Sequence, residues 1–313
     1  MIEQCPPTDA SISTMWAISR HTDLKSFFHL THELGFQKIE LNHQIRSDVL
    51  AQVNLDHYQF SSIHEPCPMD TISPRSVQLD WVISSHDESF RKLGTQGVRN
   101  TIKLAYKLGA PTVVIHCGNV NTDMTYENKL RVLFNAGKTN SDDYQALKSE
   151  FINYRNIDAF PRLQAVKKSL QELIEYAEML NVKLGLENRY HYMDIPTIDE
   201  MEELLSLASP ERLGFIYDVG HAQALDRLGF FPRNEWTNRF GSRMFGTHIH
   251  DVIGVSDHLA PGLGEIDFKQ LATFLPEDAF RTLELKPGNT IAQVIIGLRL
   301  LIDIGCVRYL VKE

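Results

Sequence analysis

The sequence predicts an α/β fold, a (β/α)8 barrel formed as a single domain over residues 1–313. Three observations carry that expectation. Eight short apolar runs alternate with segments of helical periodicity. The length of 313 residues suits eight such units around one large core. Metal-ligand residue types stand at the ends of six successive runs, where a buried parallel strand would pack better with apolar ones.

The runs are ISTMWAI (12–18), FQKIELN (36–42), QFSSIHE (59–65), TVVIHC (112–117), VKLGLE (182–187), LGFIYD (213–218), MFGTHIH (244–250) and RTLELK (281–286). Between them, TDLKSFFHLTHELG closes on Gly35 and SFRKLGTQGVRNTIKLAYKLGA closes at Gly109. FPRLQAVKKSLQELIEYAEMLN and PTIDEMEELLSLA continue the pattern, and Thr197 with Glu200 forms a capping-box signature. IAQVIIGLRLLIDIG is a last helix, from about Thr290 to Ile304, interrupted by Gln293, Arg299 and Asp303. A doubly wound open sheet is the competing architecture, and the missing GxGxxG after the first run disfavours its dinucleotide-binding form.

About 65 residues separate the fourth and fifth runs, roughly twice what one helix and its loops require. The excess, residues 119–158, is a polar insertion after strand 4. On a barrel it falls on the C-terminal face, as a lid or a substrate wall.

Composition narrows the class. Hydrophobic residues make up 43% and charged residues 23%, with a net charge of -9. That balance disfavours a nucleic-acid partner, because phosphate contacts supply much of such affinity. The cysteines (Cys5, Cys67, Cys117 and Cys306) form no CxxC pair, so a reducing compartment is expected. Cys67 and Cys117 read as small packing residues beside His64 and His116. No signal peptide opens the chain, and no run approaches the ~18 apolar residues of a membrane span. The expectation is a cytoplasmic protein with no membrane contact, acting on a small molecule and open to homo-oligomerisation.

The chemistry concentrates at the strand ends. His64, His116, Glu187 and Asp218 end the third to sixth runs, His221 follows Asp218 by three residues, His248 lies in the seventh and Glu284 in the eighth. Glu187 to Asp218 is 31 residues, Asp218 to His248 is 30 and His248 to Glu284 is 36, one βα unit each. In a closed barrel these ends share one rim. Two Glu, one Asp and one His make a mixed oxygen and nitrogen set for Mn, Mg, Co, Zn or Fe. Each residue alone has an ordinary reading as a hydrogen-bonded histidine or a rim charge. The joint pattern points to a metal site.

Taken in order, SSIHEP, VVIHCG, GLENR, YDVGHA, GTHIHD, DHLAPGLGEIDF and LELKP resemble the xylose-isomerase-like TIM-barrel superfamily over about residues 36–290. That superfamily holds sugar and sugar-phosphate isomerases and epimerases and the endonuclease-IV type of nuclease. In the isomerase and epimerase branch, the resemblance implies one divalent ion held by Glu187, Asp218, His248 and Glu284. Glu187 and Glu284 would be the acid/base pair and His221 a substrate contact. The nuclease branch adds positions that match His64, His116, His221 and His258 and holds three zinc ions. It has an Asp where this chain has Ser256, beside Asp257.

Two readings follow. The first is a divalent-metal-dependent sugar or sugar-phosphate isomerase or epimerase of carbohydrate metabolism, with two carboxylates trading roles as acid and base across the barrel mouth. The alternative is a metallohydrolase of the endonuclease IV type acting on phosphate esters. Arg189 offers a hydroxyl or phosphate contact or a rim salt bridge, Trp16 a sugar-stacking face or a filler of the barrel top, and His250 and Lys286 positions near substrate. The glycine turn at Gly262 and Gly264 would let backbone approach a ligand. Asp257, Glu265 and Asp267 are assigned to loop and helix-start roles.

Overall fold

The computed structural model describes residues 5–17, 23–73 and 75–310. Eight parallel strands close a barrel: β1 (Thr8–Ser13), β2 (Phe36–Leu41), β3 (Gln59–His64), β4 (Thr112–Ile115), β5 (Lys183–Glu187), β6 (Leu213–Asp218), β7 (Met244–Ile249) and β10 (Phe280–Leu283). They neighbour one another in chain order, and β10 pairs with β1 to complete the ring. Strands β8 (Asp251–Ile253) and β9 (Ser256–Leu259) form an antiparallel hairpin on the rim after β7. The helices are α1 (Leu24–Glu33), α2 (Ser47–Leu50), α3 (Glu88–Leu108), α4 (Thr125–Asn135), α5 (Asp142–Met179), α6 (Ile198–Leu205), α7 (Val219–Arg227), α8 (Arg233–Phe240), α9 (Phe268–Phe274) and α10 (Ile291–Ile304). No described helix is long and apolar enough to cross a membrane.

Local signals explain most boundaries. The Asp87 side chain caps α3 by accepting from Ser89 and Phe90, and Gly109 ends that helix in the left-handed region with φ 69°. The Thr197–Glu200 capping box opens α6 as expected, and Thr290 with Gln293 forms a second one on α10. Asp267 caps α9, the helix-start role expected of it.

Three sequence expectations change. The first run was placed at 12–18, but β1 covers Thr8–Ser13 and a 3-10 turn follows from Thr14 to Ala17. Ile18 lies outside the described residues. Pairing with β2 sets the start, since Thr8 registers with Phe36, and pairing with β10 joins from Ala10. Trp16 therefore sits past the strand end with no exposed surface, packed edge-on to Phe27, with its indole N–H donating to the Asn289 carbonyl at 2.9 Å. It fills the barrel top and presents no face to a sugar.

The insertion is likewise not a separate element. Helix α5 runs 38 residues, so its first half belongs to the excess chain and its second half is the barrel helix after β4. Val166, Leu170, Leu173 and Ala177 of the second half are buried in the core. Finally, β5 and β10 do not face each other across the ring. They stand three places apart, with β6 and β7 between them.

Candidate metal centre

The C-terminal strand ends carry the polar core. His248, the fifth residue of β7, has no exposed surface. Its Nδ1 lies 2.6 Å from Glu187 Oε1, 3.1 Å from Glu284 Oε2 and 3.8 Å from Asp218 Oδ2. Glu187 and Asp218 are the last residues of β5 and β6, and Glu284 directly follows β10. Ligand atoms of these four residues lie within 4.8 Å of one another.

Two further groups overlap this one. His64 and His116 converge on Glu187, whose Oε2 is 3.6 Å from His64 Nε2 and 2.7 Å from His116 Nε2. On the other side Asp218 joins His221, His250 and His258. Glu187 and Asp218 each belong to two of these groups.

The histidines are oriented by partners outside the cluster. His64 Nδ1–H donates to the Glu65 carbonyl at 3.0 Å, and His221 Nδ1–H donates to the Asn188 carbonyl at 3.0 Å. Each leaves Nε2 as the free lone pair, the arrangement in which a metal-ligating imidazole is held by its other nitrogen. His248 uses Glu40, whose Oε2 is 2.9 Å from Nε2, so Nδ1 faces the carboxylates. Asp218 also caps α7 by accepting from the His221 amide at 2.7 Å, which joins two site residues in one turn.

Electrostatics favour a cation here. Glu40, Glu187, Asp218 and Glu284 are all buried around one imidazole. The paired guanidinium is Arg189, whose Nη1 donates to Glu187 Oε2 at 2.6 Å and whose Nε lies 3.4 Å from Asp194. Uncompensated buried carboxylates cost several kcal/mol each, so this donor set suits one or more divalent ions. Burial works to raise the carboxyl pKa of Glu187, but the His248 charge and hydrogen bonds from His116 and His248 hold it well below the ordinary range. Glu284 is held low in the same way by His248 and His258, again against burial. Burial works to lower His248, and Glu40, Glu284 and Glu187 together lift it well above the ordinary imidazole value.

Other expected residues find different places. His250 is fully enclosed; its Nδ1 accepts from the His258 amide at 2.9 Å and its Nε2 lies 3.0 Å from both Asp218 oxygens. It supports Asp218 and has no face toward a substrate. Lys286 is half-buried, and its backbone N–H donates to the His258 carbonyl at 3.0 Å. Asp257 is more than a loop residue, since its carboxylate lies 3.1 Å from His258 Nδ1 and 3.8 Å from His221 Nε2. Glu265 pairs with Arg227 on the rim.

The glycine turn serves Asp251. That buried carboxylate accepts from the amides of Val252, Gly262, Gly264 and Ile266 at 2.8–3.0 Å. Gly262 has φ +89°, and a Cβ on Gly264 would lie 2.5 Å from Asp251 Oδ1. The backbone thus closes on its own side chain and holds the strand carrying His258, where a ligand contact had been expected.

Several residues went unread in the sequence. Glu40 lies on β2, and its Oε2 also accepts from Ser62 Oγ at 2.7 Å. Period-two alternation along FQKIELN was the available signal. Asn42 donates to Glu284 Oε1 at 3.2 Å. The His43 ring lies 4.9 Å from that of His64, tilted by 58°, and burial with the His64 charge pushes its pKa down to about 3. Burial pushes Glu65 up to about 7, against opposing contributions from His64 and the His116 amide. Cys67 and Cys117 are free and buried, as expected of packing residues, and burial pushes both thiols up.

The insertion braces this rim. Glu127 of α4 is fully buried and bonds His191 Nδ1 at 2.8 Å, the Tyr192 amide at 3.0 Å and Arg131 Nε at 2.9 Å. Arg131 Nη1 donates to the Tyr190 hydroxyl at 2.7 Å, and that hydroxyl donates to the Val255 carbonyl in the β8–β9 hairpin. The loop bearing Arg189 and the hairpin bearing His258 are thereby tied to one helix. Above the cluster is a cavity of about 430 Å³ lined by His43, His64, His116, Arg189, His221 and His258 among others.

Residues 28–295 match the xylose isomerase-like TIM barrel family, and the chain belongs to it. Among curated proteins it is 26% identical over 201 residues to an uncharacterized protein, y4fM, of Sinorhizobium fredii, covering 63% of this chain and 53% of that one. An uncharacterized protein of Methanocaldococcus jannaschii is 25% identical over 197 residues, covering 62% and 56%. The matched region thus spans about half the length of these relatives. Among solved structures, a D-tagatose 3-epimerase-like protein superposes with a TM-score of 0.64 at 20% identity, covering 94% of this chain and 96% of that one. An IolI protein with a bound zinc atom gives 0.64 at 16% identity, covering 97% and 99%. At these identities the structural likeness establishes the fold.

Proposed function

We propose that this protein is a divalent-metal-dependent isomerase or epimerase of a sugar or sugar phosphate, with Glu187 and Glu284 as the acid/base pair. One observation carries the reading: two carboxylates from strands three places apart approach the same imidazole nitrogen, at 2.6 and 3.1 Å, beneath a cavity of about 430 Å³. Sugar-epimerase relatives and a zinc-bound relative of the same fold support it.

Glu187, Asp218, His248 and Glu284 would hold the ion. A bound divalent cation polarises a carbonyl and steadies the negative charge that develops when an adjacent C–H proton leaves. Glu187 and Glu284 are both held ionised, so either can accept that proton while the other, once protonated, returns one. Arg189 donates to Glu187 Oε2 and holds that carboxylate in place. Asn42 donates to Glu284 Oε1 and fixes which of its oxygens turns to the substrate.

A second reading, hydrolysis of a phosphate ester, is favoured by the His64–His116–Glu187 and Asp218–His221–His250–His258 groups, which offer ligands for further ions. The net charge of -9 weighs against a polynucleotide substrate. Elemental analysis of protein purified without added metal separates the two readings. Near one equivalent of Mn, Co or Mg, with solvent deuterium entering the carbon beside the carbonyl of a ketose, supports the first. Two to three equivalents of zinc with phosphate-ester cleavage, on an abasic-site duplex or a small ester, supports the second. No exchange with any sugar or sugar phosphate overturns the isomerase reading.

A further inference from the structure

A second chamber of about 260 Å³ opens off the side of the cavity above the cluster. The two share Pro66, Met69, Ser73, Ser76, Val77, His116 and Arg189. The far wall of the side chamber is apolar, made by Ile72, Trp81, Val82, Ile83 and Val98. Its polar groups are Glu65, His116 and Arg189 at or beside the strand-end cluster, together with Ser73, Ser76, Asn119, His191 and Asp194 on the remaining lining.

Two glycines set the back of the chamber. The chain after β3 crosses α3 at Gly94 and Gly97, three residues apart on one helix face. A Cβ on Gly94 would lie 2.5 Å from the Val82 carbonyl carbon, and one on Gly97 would lie 2.6 Å from Ile72 Cδ1. At Gly94 the neighbour is backbone, so the segment can rest on the helix only because that position lacks a side chain; at Gly97 the neighbour is the movable tip of the Ile72 side chain. The volume exceeds the ~150 Å³ of an apolar cavity that accepts benzene, so an aromatic ring or a short branched alkyl group fits. A free pentose or hexose, with a hydroxyl on nearly every carbon, would leave those hydroxyls unpaired against this wall.

We infer that the side chamber is a specificity subsite that receives an apolar substituent of the substrate. The substrate is then an amphiphilic sugar derivative, with its polyol part over Glu187 and Glu284 and its apolar part against Ile72, Trp81 and Val98. The inference rests on the proposed function for the placement of the polyol part. The apolar end depends only on the chamber.

The test uses the full chain with its metal and three probes: benzyl alcohol, 6-O-benzyl-D-fructose and 6-O-methyl-D-fructose. Calorimetry should show the benzyl ether binding at least about tenfold more tightly than the methyl ether. Gly97→Ala places a methyl group where Ile72 Cδ1 lies and turns that side chain into the chamber, while alanine is well tolerated inside a helix. Val98→Phe fills the chamber from α3 independently. Both variants should abolish the benzyl preference and leave metal content and methyl-ether affinity unchanged. Equal affinity for the two ethers, or a preference that survives both variants, overturns the subsite. If neither ether binds, ligand-observed NMR with benzyl alcohol decides: binding lost in both variants upholds the chamber, and no binding overturns it. A benzyl preference without deuterium exchange into either ether overturns the isomerase reading and leaves the subsite standing.

Discussion

Glu40 Oε2 lies 2.9 Å from His248 Nε2, and the other nitrogen of that ring lies 2.6 Å from Glu187. A single imidazole thus joins a carboxylate on β2 to Glu187 and Glu284, the proposed acid/base pair. Glu40→Gln keeps the shape and removes the charge that holds the Nε2 proton. Metal affinity should fall about 10- to 100-fold, the usual effect of losing such a partner. Competition with a graded series of chelators measures it, with circular dichroism confirming the fold; unchanged affinity would show that the ring needs no support from β2.

The carboxylates on the metal side are predicted to be essential. Glu187→Gln or Glu284→Gln should lower kcat by at least about 10²-fold once a substrate is in hand, as expected when a positioned acid or base is lost. Near-normal turnover in either variant would refute the assignment.

The count of ions follows from His64 and His116. A double variant, His64→Ala with His116→Ala, removes two of the three residues in one ligand group and leaves Glu187, Asp218, His248 and Glu284 in place. Under the isomerase reading, metal content measured by elemental analysis stays at about one equivalent. Loss of a whole equivalent would favour the multinuclear, hydrolytic reading.

Removal of metal should destabilise the fold. An ion that binds only the native cluster adds about 2.7 kcal/mol at a free concentration 100 times Kd. Excess chelator should therefore lower Tm by several degrees, and re-addition of Mn or Zn should restore it. A Tm indifferent to chelator would argue against any resident ion.

The brace on α4 has a defined pH signature. Burial works to raise Glu127, but the hydrogen bond and charge of His191 and the charge of Arg131 lower it below its ordinary value. A depressed carboxyl pKa contributes stability that is complete above the unfolded value, about 4.3, and is lost as pH falls through the folded one. Glu127→Gln breaks a buried ion pair and should cost about 3 kcal/mol at pH 7. Urea titrations of both proteins should converge as pH drops below about 4. A gap that stays constant down to pH 3 would mean the effect is one of packing.

Much of the centre was legible because a parallel barrel repeats. Glu187, Asp218, His248 and Glu284 recur one βα unit apart, and their residue types do not suit strand packing. The Thr197 capping box was equally visible, since its partners lie three residues apart. Glu40 was harder. It stands in an ordinary apolar run, and its importance depends on a ring 208 positions away. The glycine turn was read as a place for backbone to approach a ligand, whereas it folds onto the Asp251 carboxylate. The first strand was misplaced because the apolar MWAI stretch extends past Ser13 and Thr14, and only pairing with β2 and β10 locates where the ladder stops.

By itself, then, the sequence determined the alternation that closes into a barrel and the ligand types at its rim, because both depend on local periodicity and spacing. Tertiary structure alone decided which nitrogen of each histidine faces the cluster, since a tautomer is set by whichever carbonyl or carboxylate reaches the other nitrogen. It also decided that the insertion braces the rim through Glu127 and Arg131, and that Gly94 and Gly97 back an apolar chamber beside the strand-end cluster. Those features rest on close approach between segments far apart in the chain, which no local pattern encodes.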